Sequence, residues 1–546
     1  MKKSSFIEGT IVATLTIFFV KMLGMLYVIP FYGLVGIQGS ALYAYAYNIY
    51  SIFLDISTAG LPIAISKIIN EYDTLGKMEA KQRTYEIGKK ILLYAAIVIF
   101  VIMMIFAPQI ATALIGDIEG GNTVDDVALA IRTVSFAILV VPFLSVGKGY
   151  LQGHKIINVS SNSQVIEQVV RIAVILVGSF LALKVFGKST TTAVCIAVSG
   201  AFFGALVGYI YVLIKIHKNK KELHANITKK DKDITNKEII NKIISYAVPF
   251  IVINVLFSLY NFSDMVITLR TLNFLKLPTE DIEFIATSIS TWSTKISIII
   301  SSVAMGMTTS LIPNIVTAYT LKDFKEVNNK LNQALQMIIS VSLPMAIGIA
   351  LLSTPIWSVF YGLENSYGPM ILAISVFTAL AANVYMITSS TLQSLNKFKI
   401  VYTSAILGLA INIGLDFPIM YLYHKVGIPV CLGPSTASII GYTTSALYDL
   451  FKLRKEYNLR YGQTLKLILK LIIPCLAMSL VVIGLEYIIP VNYDDKLSCV
   501  LYILLISVIG GLVFVIISFK NKVLETTLGE ERYKRVMHKL ALRIKK

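Results

Sequence analysis

The sequence predicts an all-α, polytopic membrane protein of about 14 transmembrane helices, arranged as two pseudo-symmetric six-helix lobes plus two C-terminal helices. Three observations predict it. The 546 residues are 56% hydrophobic, with a mean hydropathy of +0.73, a composition of multi-span membrane proteins. Apolar runs long enough to cross a bilayer's hydrocarbon core recur to the end of the chain. Lys and Arg concentrate on alternate connections between those runs.

The runs, numbered here as spans 1 to 14, are 8–32, 41–65, 88–108, 127–149, 158–183, 190–214, 243–269, 284–317, 332–360, 367–394, 400–423, 428–451, 464–489 and 497–519. Span 1 is too long for a secretory signal and lacks a small-residue cleavage site, so it is expected to stay as an anchor. With the N-terminus cytoplasmic, the cytoplasmic segments hold 39 of the 49 Lys and Arg, Lys148 and Lys155 among them, whereas loop 109–126 carries Asp117, Glu119, Asp125 and Asp126 and no Lys or Arg. The net charge of +18 is therefore positive-inside asymmetry and not a nucleic-acid footprint. The expected location is the bacterial plasma membrane, multi-pass, with both termini cytoplasmic.

Polar residues inside the spans mark the functional interior. In span 1, Thr10 to Phe31 is apolar for 22 residues except Lys21. A cation near mid-membrane costs at least ~2.5–3.5 kcal/mol, so Lys21 should face protein, water or an anion. Asp55 in span 2 is its expected partner, or else a proton or ion carrier. Arg132 in span 4 lies close enough to the outer face to snorkel. Span 5 carries Gln164, Glu167, Gln168 and Arg171 at i, i+3, i+4 and i+7, one helical face. That stripe either lines an aqueous cavity or seals a Glu167–Arg171 pair between helices. Lys295 in span 8 falls near mid-membrane like Lys21. Two such cations suit an anionic substrate such as a phosphate or pyrophosphate, unless each pairs with a carboxylate or snorkels.

Asn412 and Asp416 share a face of span 11, at a depth similar to Asp264 in span 7. Span 12 adds Thr436, and its Pro434 is expected to free a backbone carbonyl. These are hard oxygen donors, right for Na⁺, or else carboxylates bonded to neighbouring helices. The four cysteines lack metal-ligand spacing and read as small buried hydrophobes. Ala182 to Ser189 imitates a phosphate-binding loop but lacks its first glycine, and no strand precedes it. No loop is large enough for a catalytic or nucleotide-binding domain, so the chain is expected to be a secondary or facilitated transporter and not an enzyme.

The halves also echo each other. Gly60-Leu-Pro62-Ile-Ala-Ile-Ser66 is matched by Leu311-Ile-Pro313-Asn-Ile-Val-Thr317, and Leu151-Gln-Gly153-His-Lys155 by Leu392-Gln-Ser394-Leu-Asn-Lys397, at offsets of about 250 and 241 residues. Six spans separate the copies, so the repeat is parallel and puts a substrate site between two lobes. The expected division is an N-lobe at 1–217, a cytoplasmic linker at 218–242, a C-lobe at 243–455, two further helices at 456–519 and a basic cytoplasmic tail at 520–546. The tail is expected either to lie on the membrane as a basic amphipathic helix or to be solvated.

Several stretches carry a resemblance: Lys21-Met-Leu-Gly24 with Ile29-Pro30, Tyr47-Asn-Ile-Tyr50, Ser57 to Lys67, Gly149-Tyr-Leu-Gln-Gly153, and Ser163 to Arg171. They are similar to those of the polysaccharide-type exporters of the multidrug/oligosaccharidyl-lipid/polysaccharide (MOP) superfamily and, within it, the MurJ-type lipid II flippases of Gram-positive bacteria. The resemblance implies a central cationic cavity for a lipid's charged headgroup, with substrate contacts at Lys21 and Lys295, and the polar residues Arg171, Asp55 and Glu167 are expected to join them in binding substrate. It implies a lipid-tail groove at spans 13 and 14, and movement by rocking of the lobes. It also implies a sodium site at Asp264, Asn412 and Asp416, with Thr436 a fourth position, and no other cofactor. The expected function is translocation of an undecaprenyl-pyrophosphate-linked peptidoglycan precursor, lipid II, from the inner to the outer leaflet. Its partners would be that lipid-linked cell-wall precursor, membrane lipids and cell-wall synthases. The alternatives are another lipid-linked oligosaccharide as cargo, or a cation-coupled multidrug exporter. The sequence departs from some members, which carry a second Arg on span 1 and another on span 2; here those positions offer Tyr27 and Asp55.

Overall fold

Away from water a backbone must satisfy its own hydrogen bonds, which leaves helix as the solution for a single apolar run. The computed structural model is helical accordingly, with no strand among the described residues. These are residues 19–58, 60–116, 121–154, 156–219 and 234–523, with 16, 223 and 525. The start of span 1, Asp117, Glu119, Lys155, most of the 218–242 linker and nearly all of the 520–546 tail lie outside them. Among the described residues ten helices are long and apolar enough to cross a membrane, or eleven if one bent pair counts as a single span.

The chain divides into two compact units, Met1–Thr291 and Trp292–Lys546. In the first, α1 (Phe19–Leu26) and α2 (Val28–Thr58) are the bent pair, set at 41°. Spans 1 and 2 join without a loop at Gly36, whose φ of 68° is open to glycine at no steric cost. There follow α3 (Leu61–Thr74), α4 (Met78–Ile115), α5 (Val124–Ser135), α6 (Val141–Gly153), α7 (Ile157–Ala173), α8 (Thr190–Lys218), α9 (Asn236–Phe274) and α10 (Thr279–Thr287). After Ala173, π-helical turns at 174–178 and 181–185 carry α7 onward.

Several spans are broken where hydropathy alone shows continuity, spans 2 and 4 among them. Span 2 stops at Thr58 and restarts as α3 with Pro62 in its first turn. Span 4 stops at Ser135, passes through a 3₁₀ turn and restarts as α6 with Pro142 in its first turn. Proline has no amide to donate backwards and fits best at a helix start. At the head of α5, Thr123 accepts from the Asp126 amide at 3.2 Å and Asp126 accepts from the Thr123 amide at 3.2 Å. This reciprocal cap satisfies two orphan donors.

One contact in this unit positions the site. Gly200, Gly204 and Gly208 recur every fourth residue and form a ridge along α8. A Cβ at Gly200 would stand 2.9 Å from the Arg171 carbonyl oxygen, and one at Gly204 would stand 2.6 Å from that of Glu167. At Gly208 it would stand 3.4 Å from the Ser163 oxygen. Small residues let two helices approach backbone to backbone within a membrane. The ridge therefore takes the back of α7 and leaves the Glu167 and Arg171 side chains to other neighbours.

The second unit holds α11 (Ser293–Thr320), α12 (Phe324–Leu351), α13 (Ser353–Tyr361), α14 (Tyr367–Ser394), α15 (Phe398–Val426), α16 (Gly433–Tyr457), α17 (Gly462–Ile488) and α18 (Lys496–Lys520). Spans 13 and 14 are α17 and α18. Leu467 and Leu471 pack with Val523, Ile339, Leu343 and Phe514, while Leu480, Ile488 and Leu497 are exposed, as a lipid-facing surface requires. The internal repeat is partly structural. Its Leu-Gln-Gly and Leu-Gln-Ser copies both end a helix, α6 at Gly153 and α14 at Ser394. Its proline copies differ, because α3 begins at Leu61 whereas α11 runs unbroken past 313.

Candidate functional site

The polar stripe expected on span 5 is present on α7, and it is an ion network of three members. Glu167 accepts from Arg171 Nη2 at 2.7 Å through one oxygen and pairs with Lys148 Nζ at 3.0 Å through the other. Side-chain exposures of 13%, 16% and 19% for Lys148, Glu167 and Arg171 place all three largely inside the protein. One carboxylate thus serves two cations and leaves a net charge of +1. Arg171 Nε has no hydrogen-bond partner, so a donor remains unsatisfied there.

Lys148 is a member of the network that the sequence reading does not single out. Charge counting groups it with the cytoplasmic connections, and the structure places it inside α6, five residues before that helix ends. The signal available was its place within the apolar run 127–149.

Tyrosines of α2 lie near the guanidinium. Tyr43, Tyr47 and Tyr50 of α2 lie within electrostatic range of Arg171. The Tyr43 and Tyr47 rings stack at 5.9 Å and 10°, and Tyr47 and Tyr50 meet at 6.0 Å. Tyr27 shares a 3.2 Å hydrogen bond with Tyr43 through their hydroxyls and is also within range of Arg171. Tyr27 of span 1 thus shares the surroundings of the cation that α7 supplies. A Cβ at Gly24 would lie 3.2 Å from Gln168 Nε2, which brings α1 against the same stripe. Lys21, one turn before Gly24, shares that helical face and is half-buried.

The other expected residues sit elsewhere. Asp55 accepts from the Ser258 hydroxyl of α9 at 2.5 Å, so its partner is this serine and not Lys21. Arg132 does not need to snorkel: its Nε donates to the Met104 carbonyl oxygen of α4 at 3.2 Å. Asp264, in the first unit, is 5% exposed. In the second unit Lys295 is half-buried on α11. Asn412 and Asp416 are wholly buried on one face of α15, and Asn412 Nδ2 donates to Ser438 Oγ of α16 at 3.0 Å. The Thr436 hydroxyl donates to the Leu432 carbonyl oxygen at 2.8 Å. Pro434 frees no carbonyl, contrary to expectation. It stands in the first turn of α16, where amides lack an intrahelical acceptor in any case. Among the described residues no group of three or more His, Cys, Asp or Glu is placed to hold a metal.

Two polar clusters had no sequence signal. Glu283 of α10 accepts from the Asn122 amide at 3.0 Å, from Asn122 Nδ2 at 3.0 and 3.1 Å, and from Tyr45 OH at 3.4 Å. Asn48 Nδ2 donates to Thr291 Oγ1 at 2.8 Å. Both tie α2 to the end of the first unit through residues more than 160 positions apart, a separation that no local pattern encodes.

Comparison with known proteins gives a consistent result. Residues 6–316 match the family described as "Polysaccharide biosynthesis protein", and residues 249–417 match MatE. The chain is 30% identical to "Lipid II flippase MurJ" of Bacillus subtilis (strain 168) across 96% of this chain and 97% of that one. It is 21% identical to "Stage V sporulation protein B" of the same organism, across 85% and 88%. Two solved structures share the fold. One is described as "Lipid II flippase MurJ, inward closed conformation", with TM-score 0.66, 19% identity and coverage of 95% and 99%. The other is an inward-facing multidrug resistance MATE family transporter of the MOP superfamily, with TM-score 0.65, 15% identity and coverage of 80% and 94%.

Proposed function

The chain belongs to the polysaccharide biosynthesis protein family of the MOP superfamily, in which its relatives include MurJ, and on that premise we propose that it is a flippase for lipid II. The cargo is an undecaprenyl-pyrophosphate-linked peptidoglycan precursor, carried from the inner to the outer leaflet by alternating access. The observation that carries this reading is the excess of buried positive charge in the first unit, Lys148 and Arg171 against the one carboxylate of Glu167. A diphosphate is the complement of such a cluster, and the unsatisfied Arg171 Nε is a donor in place for it. The neighbouring tyrosine rings suit the apolar faces of a sugar. Lys21 and Lys295 are further cationic contacts in this proposal, Asp55 and Glu167 further polar ones, and α17 and α18 carry the lipid tail. Both termini are cytoplasmic in this reading, the lobes divide at the 218–242 linker, and cell-wall synthases receive the cargo.

The test is rescue of a bacterium depleted of its own lipid II flippase, with outer-leaflet lipid II quantified at matched expression. Wild type restores growth and outer-leaflet lipid II, and Lys21→Ala does not. Rescue by both variants removes Lys21 from the site. Failure of both, with the protein inserted, turns the cargo to another lipid-linked oligosaccharide or to a drug.

Coupling to Na⁺ is a separate proposal. The Asp416 carboxylate and the Asn412 side chain, on one buried face of α15, and the buried Ser438 hydroxyl bonded to Asn412 offer hard oxygen donors, a chemistry that fits Na⁺. An ion bound only by the folded state stabilises it, by about 2.7 kcal/mol at one hundred times its Kd. Replacing K⁺ with Na⁺ therefore raises the melting temperature of wild type and leaves Asp416→Ala unmoved. Equal melting of wild type in both salts would remove the site.

A further inference from the structure

Asp449 lies on α16 about two turns before the helix ends at Tyr457. Its side chain is wholly buried. One carboxyl oxygen, Oδ2, lies 3.0 Å from Thr388 Oγ1 of α14, whose hydroxyl also has the Tyr385 carbonyl oxygen at 3.0 Å. The other, Oδ1, has no hydrogen-bond partner. Ser404 of α15 faces the carboxyl, but its hydroxyl donates to the Val401 carbonyl oxygen at 3.0 Å. From α14 the titratable group that faces Asp449 is Tyr385, and from its own helix Tyr442 packs on Tyr385 at 6.2 Å. Among the described residues no Lys, Arg or His forms an ion pair with Asp449. The nearby Lys397 pairs with Glu456 at 2.7 Å, and Lys399 and Arg454 are exposed.

A carboxylate charge in this place is wholly buried and, among the described residues, has one hydroxyl beside Oδ2 and no partner on Oδ1. A hydrogen bond to a charged group recovers only ~1.5–3 kcal/mol, short of the penalty of an isolated charge in a low-dielectric interior. Such a group relieves the penalty by binding a cation, and a proton needs no further ligands.

We propose that Asp449 is a reversible proton-binding site of the second unit, loaded in this conformation. The proton sits on Oδ1. It leaves to water, and a carboxylate remains, when the end of α16 that carries Lys452, Arg454 and Lys455 is hydrated. The site is separate from the Asn412 and Asp416 group and does not depend on the identity of the cargo. It makes the second unit's conformation sensitive to pH on the side where those three cations lie.

Infrared spectroscopy of the full chain in lipid bilayers tests it, because a neutral carboxylic acid has a carbonyl stretch that a carboxylate lacks. At neutral pH and constant salt, wild type shows this band and Asp449→Asn loses it. Thr388→Val shifts the same band by removing its one hydrogen-bond donor, which keeps the test open if Asp449→Asn does not fold. Raising pH bleaches the band. Any of four results overturns the proposal: no such band in wild type, a band that neither variant alters, a band that never titrates while the protein stays folded, or a band that NaCl removes at fixed pH. The last would make Asp449 a sodium ligand.

Discussion

Glu167→Ala lowers the stability of the folded chain by about 3 kcal/mol, the low end of the ~3–5 kcal/mol cost of breaking a buried ion pair. The low end applies because Lys148, Glu167 and Arg171 keep 13%, 16% and 19% exposure, which lets solvent screen part of the charge. The loss is larger than for an ordinary pair on one helix, because a single carboxylate holds two cations, at 3.0 and 2.7 Å. Without it Lys148 and Arg171 face each other across a largely buried space. A thermal-unfolding cycle with Lys148→Met measures this directly. Lys148→Met alone is mildly destabilising, but in the Glu167→Ala background it restores stability, so the two changes are strongly non-additive. Additive effects, or a Glu167→Ala protein that melts like wild type, would show that the network does not hold α6 to α7.

Arg171→Ala leaves stability close to wild type and reduces lipid II transport ten- to a hundred-fold. The contrast follows from the same geometry. Glu167 keeps Lys148 when Arg171 is removed, so no buried charge is stranded, but the net charge of the cluster falls from +1 to zero. A hydrogen bond to a charged group is worth ~1.5–3 kcal/mol, which sets the range of the transport loss. Arg171→Lys keeps the charge without the planar fork and recovers part of the activity. Outer-leaflet lipid II at matched expression is the readout. Unchanged transport in Arg171→Ala would mean that the stripe is a strut between helices, the other reading of its spacing.

The sequence is most legible where one physical variable dominates. Hydropathy located the helices, and span 10 at 367–394 coincides with α14. Helical spacing placed Glu167 and Arg171 on one face, and they are bonded. What hydropathy does not contain is where an apolar run breaks. Pro62 and Pro142 each begin a new helix inside a run that reads as one span, because a proline is apolar and its effect is steric. Charge counting likewise treats a lysine at the edge of a run as a loop residue, which hid Lys148. The Asp55 expectation missed for another reason. A carboxylate's partner is chosen by tertiary packing, and Ser258 is 203 residues away. Pro434 was assigned its mid-helix effect, but the start of α16 at Gly433 makes that effect vanish.

The glycine ridge of α8 has a consequence for measurement. Two helices locked carbonyl to glycine over three successive contacts have no room to slide, since a shift of one residue would drive a side chain into backbone. A distance between labels on α7 and α8 should therefore read the same in every state of the transport cycle. That pair is the fixed ruler against which spectroscopic distances to any other helix of the first unit can be calibrated.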